Sequence, residues 1–259
     1  MFIRKVTHIN KNKKSNSILV IVPAYNESQN IVNVIESLKK ENSDWDIIVV
    51  NDGSIDNTGE LAESTGKVFV INLPHKLGIG SSVQTGFKFA EKYNYDFALQ
   101  FDGDGQHKAG EINRLLGIIE NNQADVAIGS RFCKKSFGFK TTFLRYVGIR
   151  IFEIVNSILI KQKVTDNTSG FRAYNQKAIN FLAEYYPSDY PEPEAVILLG
   201  KNGFRIKEIY TEMQQRQGGI SSISGFKTVY YMIKVLLSVF LTFTRPKIIK
   251  NVKKNRKRK

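Results

Sequence analysis

The chain has 259 residues, 42% of them hydrophobic, and a formal net charge of +14. Its single cysteine, Cys133, excludes an internal disulfide and fits a reducing compartment. The charge sits at the ends. Residues 1–14 carry five basic residues and residues 245–259 carry nine, with no acid in either stretch, so 24 basic residues remain to balance 24 acidic ones in between. A neutral body without interleaved basic and aromatic residues argues against nucleic acid as a partner. The tails point instead to an anionic membrane surface.

In chain order, Ile18–Val22 reads as a short buried strand ending at Pro23. Ser28 reads as the cap of a helix with Ile31, Val34, Ile35 and Leu38 at helical spacing. Asp46–Val50 is a second strand, followed by Asn51-Asp52-Gly53-Ser54 and a short helix over Thr58–Ser64. Val68–Ile71 is a third strand, and Leu77-Gly78-Ile79-Gly80 opens a helix to about Tyr93. Phe97–Phe101 is the fourth strand, about Glu111–Asn121 a helix, and Asp125–Ile128 the fifth strand. This alternation predicts a mostly parallel α/β sheet in three layers. Ligands of such sheets sit beyond the carboxyl ends of the strands. Pro23–Glu27, Asn51–Ser54, Asp102–Gln106 and Gly129–Arg131 all fall there.

Beyond residue 131 the pattern changes. Thr141–Lys161 reads as a long helix whose broad apolar face bears Arg145 and Arg150. Asp166–Arg172 is a polar turn, residues 175–185 a helix, Pro187–Pro193 a breaker-rich loop, and Phe204–Met213 a strand. Phe226–Phe243 places Phe226, Val229, Tyr230, Ile233, Leu236, Leu237 and Phe240 at helical spacing, opposite Lys227, Tyr231, Lys234 and Ser238. The two lysines oppose a bilayer crossing. The segment is expected to lie on a membrane surface with the basic tail after it, and packing on its own body is the alternative. The N-terminal residues lack the apolar run of a signal peptide.

The acidic pair Asp102 and Asp104 leaves a strand through glycines. Two such carboxylates can hold a divalent cation, and the cation a diphosphate. A calcium loop of the EF-hand type fails, because His107 and Asn113 stand where Gly and Glu are needed. A plain turn remains open. Asp52 can accept hydrogen bonds from a base or ribose, or cap the segment starting at Ser54. Gly78 and Gly80 lack dinucleotide spacing, which sets aside a nicotinamide enzyme. Arg131 can clamp a phosphate or pair with a nearby acid. Arg145 can do likewise or snorkel. Glu192 and Glu194, held between prolines, can supply a general base toward an acceptor hydroxyl or form a solvated acidic loop.

Val22–Glu27, Asn51–Ser54, Asp102–Gln106, Gly129–Phe132 and Ser169–Arg172 together resemble, in order, the motifs of family 2 glycosyltransferases, over about residues 18–220. Within the family the chain resembles the dolichol-phosphate mannose synthase group. The resemblance implies a GT-A fold and inverting transfer from a nucleotide-diphosphate sugar. It implies Pro23, Tyr25, Glu27, Asp52 and Asp102 around the nucleotide, with Mg²⁺ or Mn²⁺ on Asp102, Asp104 and Gln106. It further implies acceptor-phosphate contacts by Arg131 and Arg145, and donor closure by Arg216 on a flexible loop. Residues 1–17 and 221–259 are then a basic tail and a surface helix with its polybasic end. Asn51 stands where the family usually has Asp, and Ile149 where the mannose synthases place a phosphate-binding Ser. With the proline-stiffened loop, this turns the expected acceptor toward a lipid-linked saccharide in surface polysaccharide assembly, at the cytoplasmic face of the cell membrane. A bare polyprenyl phosphate is the alternative. A sugar nucleotidyltransferase and a non-enzymatic polyanion binder are rival readings, and a homo-oligomer is left open.

Overall fold

The computed structural model describes residues 16–133, 143–213 and 226–248, with side chains from Arg150 and from Lys234 onward in the last two stretches. Seven strands form one sheet: β1 Ile18–Ala24, β2 Asp46–Asn51, β3 Phe69–Asn72, β4 Phe97–Gln100, β5 Val126–Ser130, β6 Arg172–Asn175 and β7 Ile206–Tyr210. Their spatial order is β3-β2-β1-β4-β6-β5-β7. All neighbours run parallel except β6, which is antiparallel to both β4 and β5.

The helices are α1 Ile31–Glu41, α2 Thr58–Ser64, α3 Ile79–Lys92, α4 Ile112–Glu120, α5 Phe143–Ile160, α6 Gln176–Tyr185, α7 Pro191–Lys201 and α8 Phe226–Thr244. They cover both faces of the sheet, so the central strands read as unbroken apolar runs. Alternate residues divide between two cores. Leu19, Ile21, Ile48 and Val50 face one, shared with α3, α6, α7 and α8. Val20, Val22, Ile47 and Val49 face the other, shared with α1 and α4.

Three local readings are corrected. The cap position of α1 is Asn30 rather than Ser28: Glu27 O receives the Asn30 and Ile31 amides, while the Ser28 amide turns to Asp56. Residues 172–175 are a strand, β6, where a turn running into a helix was expected. Four residues are too short to show a period. The Pro187–Pro193 loop stops early, because Pro191 opens α7. Proline suits a helix's first turn, where its missing N–H is no loss.

On α8, Val235, Val239 and Thr242 are buried, whereas Leu237 and Phe240 are exposed. Leu237 and Phe240, from the apolar stripe expected on a surface, are thus left open, and the side chains of Phe226, Val229, Tyr230 and Ile233 lie outside the described residues. Among the described residues no helix is long and apolar enough to cross a membrane.

Candidate active site

The parallel strands β1, β2 and β4 end side by side, and their exits carry Pro23–Glu27, Asn51–Ser54 and Phe101–Gln106. Because β6 runs the other way, its beginning lies at this same edge and brings Ser169-Gly170-Phe171 with it. A cleft of about 380 Å³ opens there, lined among others by Pro23, Tyr25, Glu27, Asp52, Asp102 and Asp104. These are six of the residues singled out from sequence. A larger groove of about 770 Å³ lies along the outer strand β3 and the Asp46–Ile47 end of β2, away from the motifs.

The first two loops are tied together. Asn26, at φ 55°, donates its amide to Ser54 Oγ and accepts from Ile55 N, and the Glu27 amide donates to Thr58 Oγ1. Glu27 Oε2 in turn receives Asn30 Nδ2. Lys76 Nζ stands 3.7 Å from the centre of the Tyr25 ring. Asp52 lines the cleft and does not cap the segment starting at Ser54. Its two oxygens accept from Leu77 N at 2.8 Å and Gly78 N at 2.9 Å, and so hold the turn that opens α3. Gly78 sits at φ 93°, where a side chain would be strained.

Asp102 is seated from two sides. Its Oδ2 lies 3.1 Å from His107 Nε2. The His107 ring stacks on Phe171, with centroids 4.9 Å apart, and meets Phe101 edge-on. On the other side, a Cβ on Gly170 would stand 2.7 Å from both carboxylate oxygens. Sequence reasoning singled out Ser169–Arg172 without finding this role, and used His107 only to reject a calcium loop. The signal lies in three-dimensional proximity, which spacing does not carry.

Asp102 Oδ1 is buried and finds no partner among the described residues, while Asp104 stands beside it on the cleft. An unpartnered buried carboxylate oxygen at a diphosphate-sized opening fits a divalent cation. Among the described residues no group of three or more His, Cys, Asp or Glu side chains forms a closed metal cage. Gln106 is not part of the lining, and its backbone N–H donates to Asp104 Oδ1 at 3.1 Å.

Arg131 takes the alternative weighed for it. Its Nε and Nη2 grip Asp166 at 2.7 and 2.8 Å, and Nη2 also reaches Thr168. Burial works against charge at both partners, but the pairing wins: Asp166 is drawn below the usual carboxylate range and Arg131 raised. Glu208 braces the turn by accepting from the Thr165 and Asp166 amides.

Behind Asp102 lies Arg172, fully buried. It donates to three backbone carbonyls, of Ser169, Asn167 and Glu192, and so ties the Ser169 turn to the first turn of α7. Burial pushes the Glu192 carboxyl up; nearby Arg172 opposes this and Asp102 adds to it. Glu194 has both oxygens in use, accepting from Tyr190 N and Thr242 Oγ1. It is a brace between α7 and α8. The Arg145 side chain and Arg216 lie outside the described residues.

The sheet and the motifs at its carboxyl edge define a GT-A glycosyltransferase. The chain belongs to glycosyl transferase family 2, whose model matches residues 19–182. It is 34% identical over 248 residues to the UDP-N-acetylglucosamine–dolichyl-phosphate N-acetylglucosaminyltransferase of Methanococcus voltae, covering 86% of this chain and 98% of that one. It is 28% identical to the polyprenol monophosphomannose synthase of Mycolicibacterium smegmatis, covering 84% of each. Among solved structures, glucosyl-3-phosphoglycerate synthase of Mycobacterium tuberculosis, with Mn²⁺, UDP and phosphoglyceric acid, shares the fold. Its TM-score is 0.68 at 16% identity, with 90% of this chain and 80% of that one covered.

Proposed function

We propose that this protein transfers a sugar from a nucleoside-diphosphate sugar to a polyprenyl phosphate at a membrane surface. The observation that carries the donor half is the single cleft shared by Asp102, Asp104 and the Pro23–Glu27 loop. Pro23, Tyr25, Glu27 and the Asp52-held turn would line the nucleoside, and Asp102 and Asp104 would hold Mg²⁺ or Mn²⁺ against the diphosphate. Bound there, the cation supplies positive charge against the departing nucleoside diphosphate. His107 and Gly170 fix the Asp102 carboxylate for that contact. The acceptor attacks the anomeric carbon from the face opposite the leaving group, which inverts it.

The acceptor half rests on the names of the relatives, which act on dolichyl or polyprenol phosphate. The preference for a lipid-linked saccharide rests on Ile149, whose side chain lies outside the described residues, and on a stiff loop offering a base. That segment is the first turn of α7, and Glu194 is spent on holding it. A phosphate acceptor is already anionic and needs no base.

The test is a panel of nucleotide sugars with polyprenyl phosphate in detergent, scored by nucleoside diphosphate release and lipid-linked product. Turnover with that acceptor supports the reading. Turnover only with a lipid-linked saccharide replaces the acceptor, and release of pyrophosphate overturns the reaction class.

A further inference from the structure

We propose that Lys76 is the side-chain cation that takes hold of the donor's diphosphate, and that it leaves the face of the Tyr25 ring to do so. This rests on the reading of the cleft as a nucleoside-diphosphate-sugar site and adds a residue to it. Lys76 stands one position before the Leu77–Gly80 turn singled out from sequence.

Among the described residues that line the cleft, Lys76 is the one cation, against the carboxylates of Glu27, Asp52, Asp102 and Asp104. Its backbone is fixed from two sides. Gly53, at φ 65°, lies against it, and a Cβ there would stand 2.7 Å from Lys76 N. The next two amides, of Leu77 and Gly78, donate to Asp52. The side chain itself is exposed, and its ammonium rests 3.7 Å from the centre of the Tyr25 ring. A fixed root and a flexible four-carbon stem let the charge move without leaving the cleft.

Charge gives this residue its task. A divalent cation on Asp102 and Asp104 is balanced by those two carboxylates, so the donor's diphosphate keeps its own negative charge. Departure as a nucleoside diphosphate adds to that charge. Other described cations nearby are committed elsewhere. Arg131 grips Asp166, Arg172 donates to three backbone carbonyls, and Lys108 pairs with Glu212. Lys76 makes no ion pair or side-chain hydrogen bond with a described residue. An ammonium over an exposed ring is weakly held, whereas its hydrogen bond to a phosphate is charge-assisted. A base that stacks on the covered face of Tyr25 displaces the ammonium, and the diphosphate of the same nucleotide receives it.

The experiment is isothermal titration calorimetry of the full chain with UDP, GDP, uridine and guanosine, Mn²⁺ present, at low and high salt. Lys76→Met should weaken binding of the preferred nucleoside diphosphate by about tenfold or more. It should leave the matching nucleoside bound as before or more tightly, because the ring is uncovered. The salt dependence of diphosphate binding should shrink with the lost charge. Lys76→Arg should restore most of the affinity, and both variants should keep the parent melting temperature. Unchanged diphosphate binding by Lys76→Met overturns the inference and leaves the donor reading standing. Equal losses of nucleoside and nucleoside diphosphate also overturn it, and make Lys76 a prop for Tyr25. A parent chain that binds none of the four removes the donor reading, and Lys76 with it.

Discussion

The two halves of the sheet deliver their chemistry differently. From β1 to β4 each parallel strand ends at the cleft and hands over its own polar loop, so function is assembled strand by strand. From β5 onward the contributions are indirect. The antiparallel β6 brings Gly170 and Arg172 to the same edge, where they shape Asp102 and the α7 turn rather than line the cleft. A parallel strand presents its exit loop to solvent at this edge, whereas the reversed strand buries its entry turn against its neighbours.

The comparison breaks most sharply at Asp104. If the first half holds the reacting charge, Asp104→Asn should lower transfer by about 10³-fold or more while the melting temperature stays put. Activity within tenfold of the parent chain would remove the cation from the account. Arg172 tests the second half as structure. Arg172→Met leaves three buried carbonyls without their donor and Glu192 without its neighbouring charge. Urea denaturation should show a loss of about 3–5 kcal/mol. A loss under 1 kcal/mol would mean that the tie between the Ser169 turn and α7 is dispensable.

Gly170 joins the halves. Its Cβ would collide with both Asp102 oxygens at 2.7 Å, so Gly170→Ala must move the carboxylate. If Asp102 holds the cation, Mn²⁺ affinity, read by electron paramagnetic resonance with nucleoside diphosphate present, should fall roughly 10–100-fold. Unchanged Mn²⁺ binding with lost stability would reduce Gly170 to packing.

Legibility from the sequence divides along the same line. The strands β1, β2 and β4 are runs such as Leu19–Val22 and Ile47–Val50, long enough and apolar enough to read, and their motifs are contiguous. Asp102 and Asp104 were found because two carboxylates and two glycines sit within four residues. Asp52 was located, but its hold on the α3 turn was not legible, because its partners Leu77 and Gly78 lie about 25 residues away and are backbone amides. Its residue type could say only that it accepts hydrogen bonds. Residues 172–175 give a strand too little length for any period. Pro191 and Pro193 carry two opposite meanings, breaker and helix opener, and the adjoining Ala195–Leu199 decides for the helix. The His107 seat on Asp102 is a short-range contact in sequence, yet it depends on Phe171, 64 positions further on, to hold the ring.

The smallest expected effect concerns Arg131 and Asp166. Arg131 holds Asp166 below its ordinary pKa of 3.8 in the folded chain, so the unfolded chain takes up that proton first as pH falls. The pair's contribution is then complete above about pH 4 and is withdrawn as pH drops through the lower folded value. Arg131→Gln should therefore flatten the loss of stability between about pH 4 and pH 2. It should also lower stability at neutral pH, because a buried carboxylate is left with Thr168 and the backbone N–H of residue 131. If unfolding by urea shows the same acid slope in the variant and the parent, the Asp166 proton is governed by Glu208 and the turn rather than by Arg131. The second half would then lose its clearest electrostatic tie to the strand ends.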